Sequence, residues 1–516
     1  MSAPIRFLFR GQPVAVPADT PTRTVLQWLR EDRQACGTKE GCAEGDCGAC
    51  TVLVAELPET LPEGTQAVLS AGLALRPVNA CIRFLPTLHG KALLTVEDLA
   101  SGSQADTVSL HPAQQALVDC HGAQCGFCTP GFVMTLAAVH EAHQTHQDRD
   151  PTACAPSRGA LADALSGNLC RCTGYRPILD AAQQMLAQTG PRLPLAGLRD
   201  QLLALQAAPA PSVEGLVHVP RDLASLARLR ADKPEARLVA GATDVGLWVT
   251  KQMRPLGELI FLGDVAELRR IEATATALRI GAAVTLEDAW AALVARWPAL
   301  HEMHRRFAGP PVRHAGTLVG NLANGSPIGD GPPVLIALGA ELLLRRGEAQ
   351  RRLPLQDFYL DYMKNALQPG EFVEALAVPL PGPDWVLRGY KIAKRYDSDI
   401  SAVCAVLALQ LEGERIVDAR LAYGGMAAIV KRAGRAEAAL RGRDWDERAQ
   451  QAAADALAED FQPLSDLRAS SAYRMNVAQN LLRRFWLETR LHEPLAPAQT
   501  SVWQAVNLAA APGSAR

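Results

Sequence analysis

The stretch Lys39-Glu-Gly-Cys-Ala-Glu-Gly-Asp-Cys-Gly-Ala-Cys50 places Cys42, Cys47 and Cys50 at the spacing C-x4-C-x2-C. This spacing is typical of a plant-type [2Fe–2S] site, which takes its fourth cysteine from a distant part of the chain. Cys81, in Val78-Asn-Ala-Cys81, is the only candidate at a suitable distance. The sequence therefore predicts that Cys42, Cys47, Cys50 and Cys81 bind one cluster.

The glycines of this stretch support that interpretation. Gly41, Gly45 and Gly48 are interleaved with the cysteines, and a loop that wraps an inorganic core needs positive φ values and bare N–H groups aimed at sulfur. A zinc knuckle or a disulfide pair is the alternative. Zinc sites usually show two short C-x2-C hooks, and this spacing does not fit that pattern.

A second cysteine set combines a C-x2-C pair, Cys125 and Cys128, with a C-x-C pair, Cys170 and Cys172. A zinc site is again the competitor, although C-x-C is uncommon as a zinc hook. Helices are predicted beside each pair, and helix N-termini stabilise thiolates and an anionic cluster. We therefore predict a second [2Fe–2S] site. The remaining cysteines fit neither spacing and are expected to be small buried hydrophobic residues: Cys36, Cys120, Cys154 and Cys404.

Composition narrows the class of protein. The chain has 516 residues, 48% of them hydrophobic, and a formal net charge of −2. The charge gives no support for nucleic-acid binding, and no apolar run approaches the length of about 20 residues that a membrane span needs. Arginines interrupt the apolar N-terminus, so a signal peptide is not expected. Clustered cysteines then favour a cytoplasmic protein with metal or redox sites.

Periodicity and turn residues divide the chain into segments. The first resembles a compact β-grasp in its order of strand, helix, loop and strand, and the second has an all-helical pattern with cysteines in its breaks. The predicted segments are residues 1–90, a plant-type ferredoxin-like domain; 91–187, a helical cluster domain; 188–217, a Pro- and Ala-rich linker; 218–385, a mixed α/β domain; 386–490, a C-terminal α/β domain; and 491–516, a tail.

Two clusters would act as one-electron carriers and need a two-electron partner. No G-x-G-x-x-G fingerprint follows a predicted strand, but two glycine-containing loops occur in residues 218–385. Backbone N–H groups in such loops can hold a pyrophosphate. Taken alone, the loop at Gly241 is a weak signal that an ordinary turn also explains, and the longer loop from Gly316 to Asp330 is stronger.

The combined motifs resemble the iron–sulfur and FAD subunit of the bacterial xanthine dehydrogenases, in the molybdenum hydroxylase family. The resemblance covers residues 1–490 and rests on Gly-Cys-x4-Cys-Gly-Ala-Cys, Gln-Cys-Gly-Phe-Cys-Thr-Pro-Gly, Asn-Leu-Cys-Arg-Cys-Thr-Gly-Tyr-Arg-Pro and Gly-Asn-x4-Ser-Pro-Ile-x-Asp. It implies a multidomain α+β chain whose FAD domain is of the vanillyl-alcohol-oxidase/PCMH type and whose last domain is like that of the CO dehydrogenase flavoproteins.

The resemblance also implies site residues. The pyrophosphate would lie against one loop, Phe307 against the isoalloxazine and Lys391 close to the flavin; a solvated strand end is the alternative for Lys391. No residue is assigned a catalytic role, and His314 is expected to be a satisfied polar histidine. The implied FAD-binding residues are Leu238, Val239, Ala240, Gly241, Ala242, Thr243, Asp244, Val245, Phe307, Thr317, Gly320, Asn321, Asp330 and Lys391.

Ala242 departs from the family pattern, since many relatives carry glycine or asparagine there. The resemblance implies two [2Fe–2S] clusters, FAD, and NAD as electron acceptor. It further implies that the molybdopterin and the purine pocket lie on a separate large subunit, in a heterotetramer of two small and two large subunits. An aldehyde oxidase or other molybdenum hydroxylase subunit is the alternative, and a zinc-stapled assembly protein with a vestigial flavin fold is the alternative from another class.

Overall fold

The computed structural model describes residues 2–100 and 109–501. Its N-terminal part is a sheet of six strands: β1 (Ile5–Phe9), β2 (Gln12–Val16), β3 (Thr51–Glu56), β4 (Val68–Ser70), β5 (Leu73–Asn79) and β6 (Ala92–Leu94). Their order in the sheet is β2-β1-β6-β3-β5-β4, with β1 parallel to β6. Helix α1 (Val25–Gln27) continues into a π-helical turn, and Thr24 and Gln27 form its capping box. The β-grasp fold predicted from the sequence is confirmed.

Both faces of this sheet are covered. Every residue of β3 and β5 is buried, as expected for strands with packed layers on both sides. Leu53 points to one face and joins the core of the helical domain. Val52 and Val54 point to the other face and pack with Val239 and Phe261 of the third domain. The sheet therefore packs against two domains, the helical domain on one face and the third domain on the other.

The second domain is helical. Its helices are α2 (Pro112–Asp119), α3 (Thr129–Arg149), α4 (Arg158–Ala164) and α5 (Arg176–Leu186). Proline occupies the first turn of α2, α3 and α5, where its missing N–H costs no hydrogen bond. The C-x2-C pair lies between α2 and α3, and the C-x-C pair lies between α4 and α5.

Residues 188–217 carry more structure than the predicted linker. They contain helix α6 (Leu198–Gln206) and strands β7 (Ser212–Val213) and β8 (Val217–His218). Leu198 and Leu202 are buried in the core of the helical domain, and Arg199 donates to the carbonyl of Gly72 at 2.7 Å. The prolines that suggested a linker flank the helix and do not interrupt it.

The third domain adds nine strands to β7 and β8: β9 (Arg237–Val239), β10 (Leu259–Phe261), β11 (Ile271–Ala273), β12 (Ala277–Gly281), β13 (Glu341–Arg346), β14 (Ala349–Pro354), β15 (Tyr359–Asp361), β16 (Lys364–Asn365) and β17 (Phe372–Pro379). They form two sheets, ordered β7-β8-β10-β9 and β11-β12-β17-β13-β14, and a separate hairpin of β15 and β16. Its helices are α7 (Leu223–Asp232), α8 (Val245–Thr250), α9 (Leu286–Val294), α10 (His301–Arg306), α11 (Pro310–Arg313), α12 (Leu318–Asn324) and α13 (Gly331–Ala337).

The last domain is a four-stranded antiparallel sheet with helices packed on it. Its strands are β18 (Trp385–Ile392), β19 (Val403–Glu412), β20 (Arg415–Gly424) and β21 (Lys431–Arg432), and its helices are α14 (Gly434–Leu440), α15 (Glu447–Asp460), α16 (Ser471–Thr489) and α17 (Pro497–Thr500). Of the predicted tail at 491–516, the part after residue 501 lies outside the described residues. Among those described, no helix has the length and apolar character that crossing a membrane would require.

Candidate redox site

The first cysteine loop is shaped by its backbone. Ala43, Gly45 and Gly48 have φ values of 54°, 80° and 70°, which glycine adopts without strain. Cys42 Sγ accepts the backbone N–H groups of Glu44 and Cys47, at 3.4 Å each. Such donors stabilise a thiolate.

The four sulfurs that the spacing selected come together. Cys42 Sγ contacts the sulfurs of Cys47 and Cys81, and Cys50 Sγ contacts that of Cys81. Cys50 and Cys81 are buried. A Cβ on Gly41 would stand 2.9 Å from Cys47 Sγ, so glycine is needed at that position for the loop to close around the sulfurs.

The second cysteine set also comes together. The Sγ atoms of Cys125 and Cys172 lie 3.5 Å apart, and Cys128 contacts Cys170. Cys125 and Cys172 are exposed, whereas Cys170 is buried. Within the described part of the chain, no three or more His, Cys, Asp or Glu side chains are placed to hold a single metal ion. Contacts between pairs of sulfurs fit a [2Fe–2S] core, because its four thiolates are shared between two irons.

Cys170 has a network of donors that sequence reasoning missed. Thr173 Oγ1 lies 3.2 Å from Cys170 Sγ and accepts the backbone N–H of Tyr175 at 3.2 Å. When Cys170 is a thiolate, its sulfur has no proton and can only accept, so the Thr173 hydroxyl then donates to it; the sulfur also accepts the Thr173 N–H at 3.5 Å. The Cys170 N–H donates to Tyr175 Oη at 3.0 Å. Thr173 and Tyr175 both lie within the second cysteine motif, and this position was the signal in the sequence that could have identified them.

The first cysteine loop contacts residues beside the second cysteine set. The Leu169 N–H donates to the Cys47 carbonyl at 2.9 Å, and Asn168 Nδ2 donates to the Gly48 carbonyl at 3.1 Å. A Cβ on Gly131 would stand 2.1 Å from that same carbonyl oxygen. Backbone therefore packs on backbone between the two cysteine sites.

The opposite side of the same loop meets the third domain. Thr250 Oγ1, on α8, donates to the Ala43 carbonyl at 2.7 Å. A Cβ on Gly246, in the same helix, would stand 2.7 Å from the carbonyl of Ile82, next to Cys81. Helix α8 follows the predicted pyrophosphate loop, so the cysteine loop lies between that loop and the second cysteine set.

The two glycine loops of the third domain pack against each other. A Cβ on Gly241 would stand only 1.9 Å from the Ala315 carbonyl oxygen. Ala242 is buried with a φ of 60°, where glycine or asparagine would be less strained. Thr317 Oγ1 accepts the Gly320 N–H at 3.0 Å and so caps α12. Burial raises the pKa of Asp244 above its usual value.

Two further predicted residues have buried side-chain atoms. Asn321 Oδ1 is buried without a hydrogen-bond partner, so it can accept from a ligand hydroxyl. Phe307 is buried against Trp290, with ring centroids 5.5 Å apart. The residues of the pyrophosphate loop not yet placed run from the end of β9 into α8: Leu238, Val239, Ala240, Thr243 and Val245.

Lys391 is part of a buried polar group. Its Nζ lies 2.5 Å from Asp330 Oδ2, and Ser401 Oγ donates to Asp330 Oδ1 at 2.6 Å. Lys391 is only 5% exposed, so the alternative of a solvated strand end is wrong. Burial and the Asp330 carboxylate raise the pKa of the adjacent thiol of Cys404. Ser401 carried no local signal in the sequence.

Two other expectations need correction. His314 was expected to be satisfied, but its Nδ1 is buried without a partner, and burial lowers its pKa to about 4. Of the four cysteines outside the two sets, Cys404 is buried as expected, but Cys36 and Cys154 are exposed and Cys120 is half-buried.

Four family models match consecutive parts of the chain. They describe a 2Fe-2S iron-sulfur cluster binding domain over residues 8–83, a [2Fe-2S] binding domain over 95–183, the FAD binding domain in molybdopterin dehydrogenase over 211–381, and the CO dehydrogenase flavoprotein C-terminal domain over 388–489. The matches agree with the order of the four folded units described above.

Individual proteins are also similar. A xanthine dehydrogenase of Emericella nidulans is 32% identical, over 93% of this chain and 38% of its own length. Aldehyde oxidase 4 of Cavia porcellus is 28% identical, over 94% of this chain and 39% of its own length. The chain therefore spans less than two fifths of the length of these curated relatives. A solved structure of carbon monoxide dehydrogenase from Hydrogenophaga pseudoflava is 27% identical with a TM-score of 0.50, over 53% of this chain and 96% of that one.

Proposed function

Because the chain belongs to the molybdenum hydroxylase family, within which it carries the two [2Fe–2S] domains and the FAD domain, we propose that it is the small subunit of a xanthine dehydrogenase. In this proposal a molybdenum centre on a partner subunit oxidises hypoxanthine or xanthine to urate. This chain takes the electrons through two clusters to FAD and on to NAD, in the cytoplasm.

The proposed ligands follow the sulfur contacts. One cluster is held by Cys42, Cys47, Cys50 and Cys81. The other cluster is held by Cys125, Cys128, Cys170 and Cys172. The flavin is held by the 238–245 loop together with Phe307, Thr317, Gly320, Asn321, Asp330 and Lys391. FAD, when bound, accepts single electrons and delivers them as a pair, which a cluster cannot do. The protein supplies fixed positions and hydrogen bonds to sulfur.

One observation carries the order of transfer. The loop from Cys42 to Cys50 hydrogen-bonds to residues beside the second cysteine set on one side and to α8 on the other. This arrangement supports an order of transfer in which the N-terminal cluster is the middle site. Cys125 and Cys172 are exposed, which favours that end as the entry point for electrons from a molybdopterin-binding large subunit, in a heterotetramer of two small and two large subunits.

The test uses the purified holoenzyme with its partner. We expect four irons and one FAD per small subunit, and NAD reduction that depends on xanthine. Rapid-freeze EPR should show the helical-domain cluster reduced no later than the N-terminal cluster. Two zinc ions in place of four irons, or a flavin spectrum with no iron–sulfur absorbance, would refute the proposal.

An aldehyde oxidase subunit is the second candidate. The aldehyde oxidase match covers 94% of this chain, so similarity over the described domains does not separate the two activities. The substrate pocket belongs to the partner in either case, so the assay uses the holoenzyme. Turnover of xanthine and of an aromatic aldehyde, each with the same artificial electron acceptor in place of NAD or oxygen, distinguishes the two activities.

A further inference from the structure

Arg474, near the start of α16, is a buried cation in the last domain. It is 2% exposed, and its guanidinium reaches three separate segments of that domain. Nη2 donates to Asp466 Oδ1 at 2.7 Å, and Nη1 donates to the Gly425 carbonyl at 3.0 Å and also to the Ala402 carbonyl. The donors of a planar guanidinium point in fixed directions, so Arg474 fixes the positions of these three segments relative to one another.

Asp466 is held in place independently of Arg474. Its Oδ1 atom accepts the N–H groups of Arg468 and Ala469 at 2.9 and 3.1 Å, and its own N–H donates to the Ala469 carbonyl at 3.0 Å. The carboxylate therefore belongs to a closed turn before α16, and it supplies the counter-charge that a buried guanidinium requires. The stretch from Asp466 to Arg474 thus contains both the cation and the turn that orients it.

One of the carbonyl contacts leads to the buried pair of Asp330 and Lys391. Arg474 binds the carbonyl of Ala402, and the preceding residue, Ser401, donates its hydroxyl to Asp330 Oδ1 at 2.6 Å. Ser401 is 1% exposed, and a close-packed side chain follows the backbone that carries it. Arg474 therefore helps to determine where the Ser401 hydroxyl meets Asp330.

The other carbonyl contact leads to the loop that contains Asp330. Gly425 donates its N–H to the Pro327 carbonyl at 2.8 Å, while its own carbonyl accepts from Arg474. Gly425 has a φ of 77°, and a Cβ there would stand 2.4 Å from the Ala402 carbonyl oxygen. Glycine is therefore required at this position, and Arg474 is connected to the Asp330 loop by two routes.

We propose that Arg474 is a positioning residue for FAD, acting from the last domain through Ser401 on the carboxylate of Asp330. The inference rests on the proposed function, in which Asp330 and Lys391 hold FAD. Arg474 is not among the residues assigned to contact the flavin. Its role is to keep the Ser401 hydroxyl on Asp330, so that the buried polar group has the geometry that the cofactor binds.

The experiment uses the full chain with its clusters and FAD. Arg474→Lys keeps the positive charge, but an ammonium group cannot replace a fork that binds two carbonyls and a carboxylate. The Kd for FAD should rise about tenfold, the factor expected when a hydrogen bond to a charged group is lost. The fluorescence of released FAD, followed during serial dilution of the protein, measures this Kd.

Arg432→Lys is the matched control. Arg432 lies in the same domain and also binds a carboxylate and a carbonyl, Glu437 Oε2 at 2.7 Å and the oxygen of Ala419 at 3.1 Å. Neither Glu437 nor Ala419 is next to a residue assigned to the flavin. The control should lower the urea midpoint of unfolding but leave the Kd for FAD unchanged. An equal rise in Kd in the two lysine variants would show that Arg474 acts only on general stability.

A double-mutant cycle tests the route through Ser401. In the Ser401→Ala background the hydroxyl that Arg474 positions is gone, so Arg474→Lys should raise the Kd for FAD by a much smaller factor than in the parent. Equal factors in the two backgrounds would overturn the proposal, because Arg474 would then act by another route. If Arg474→Lys does not fold, Asp466→Ala takes its place in the cycle, since it removes the counter-charge through a side chain that is 36% exposed.

Failure of this inference can be distinguished from failure of the proposed function. A purified holoenzyme that holds no FAD refutes the proposed function. A holoenzyme that holds FAD with the same Kd in the parent, in Arg474→Lys and in Asp466→Ala refutes only the positioning role of Arg474.

Discussion

The sulfur atoms of Cys125 and Cys172 lie 3.5 Å apart although 47 residues separate them in the chain. Helices α3 and α4 fill that interval, and they return the chain so that two exposed thiols meet at the surface. The contact brings one sulfur of the C-x2-C pair onto one sulfur of the C-x-C pair, as a shared iron requires.

Cys172→Ser should therefore remove one cluster and leave the other. We expect iron to fall from about four to about two per chain, with loss of one of the two [2Fe–2S] EPR signals and retention of FAD. Cys154→Ser is the control, because Cys154 is also exposed but contacts neither set. Loss of both signals in Cys172→Ser would show that the two sites do not assemble independently.

Thr173→Val should lower the midpoint potential of the helical-domain cluster. The variant removes the hydroxyl that donates to Cys170 Sγ, and hydrogen bonds to cluster sulfurs raise the potential. A shift of about 59 mV corresponds to a tenfold change for one electron, and we expect a shift of that order or less. EPR-monitored titration measures it, with the N-terminal cluster as reference within the same molecule.

Thr129→Val provides the matched control for that experiment. The Thr129 hydroxyl is buried beside Cys128 without a hydrogen-bond partner, so its removal should leave the potential unchanged. Thr173→Ser should restore the parent value. If the two valine variants behave alike, the contact between Thr173 and Cys170 has no electronic effect.

Lys391→Met should destabilise the third domain and release FAD. The substitution removes the cation paired with the buried Asp330 carboxylate, which keeps only neutral partners in Ser401 and Cys404 among the described residues. Breaking a buried pair costs about 3–5 kcal/mol. Urea unfolding and flavin content after gel filtration measure the two effects. Arg352→Gln breaks an exposed pair with Glu341 and should cost less than about 1 kcal/mol. Equal losses in both variants would contradict the structural role of Lys391.

The buried histidines His111 and His140 should make stability depend on pH. Burial lowers the pKa of His111 from 6.5 to about 4, and the adjacent ring of His140, whose pKa is also lowered, opposes its protonation. The unfolded chain then binds more protons than the folded chain between pH 4 and 6.5. Stability should be complete above pH 6.5 and fall by up to about 3 kcal/mol from His111 as the pH drops to 4.

His111→Asn isolates that contribution. Asparagine can still cap α2, which His111 Nδ1 does by accepting the Ala113 N–H, but it does not titrate. The slope of the unfolding free energy against pH should therefore become shallower in this range. The exposed His121 has a φ of 53°, which asparagine tolerates, so His121→Asn should leave the slope unchanged. Unfolding midpoints in urea at four pH values test both variants.

The cysteine sets could be found from the sequence because their spacing is local. The loop from Cys42 to Cys50 has three of its ligands within a few residues of one another. Glycine marks the position where a side chain would collide with sulfur, Gly41, and two positions with a positive φ, Gly45 and Gly48. The strands around the loop could also be predicted, because each is a continuous apolar run that is visible in a short stretch of sequence. The assignment of each residue as a ligand remains a prediction that metal analysis of variants must test.

Long-range partners could not be predicted. Ser401 and Asp330 are 71 residues apart, and nothing near either one marks the hydrogen bond between them. Lys391 sits at a strand end that is compatible with solvent, and only the packing of α13 against the last sheet shows that it is buried. The helix at Leu198–Gln206 was not predicted, because the prolines on either side of it suggested a linker. Composition also does not show which apolar residues become buried in a core.

The covering of both faces of the N-terminal sheet has a kinetic consequence. A domain clamped between two neighbours cannot swing from an electron donor to an acceptor, as tethered shuttle domains do. Electrons must instead tunnel across fixed distances. The rate of electron transfer within the chain should therefore not change when glycerol or sucrose raises the viscosity of the solvent.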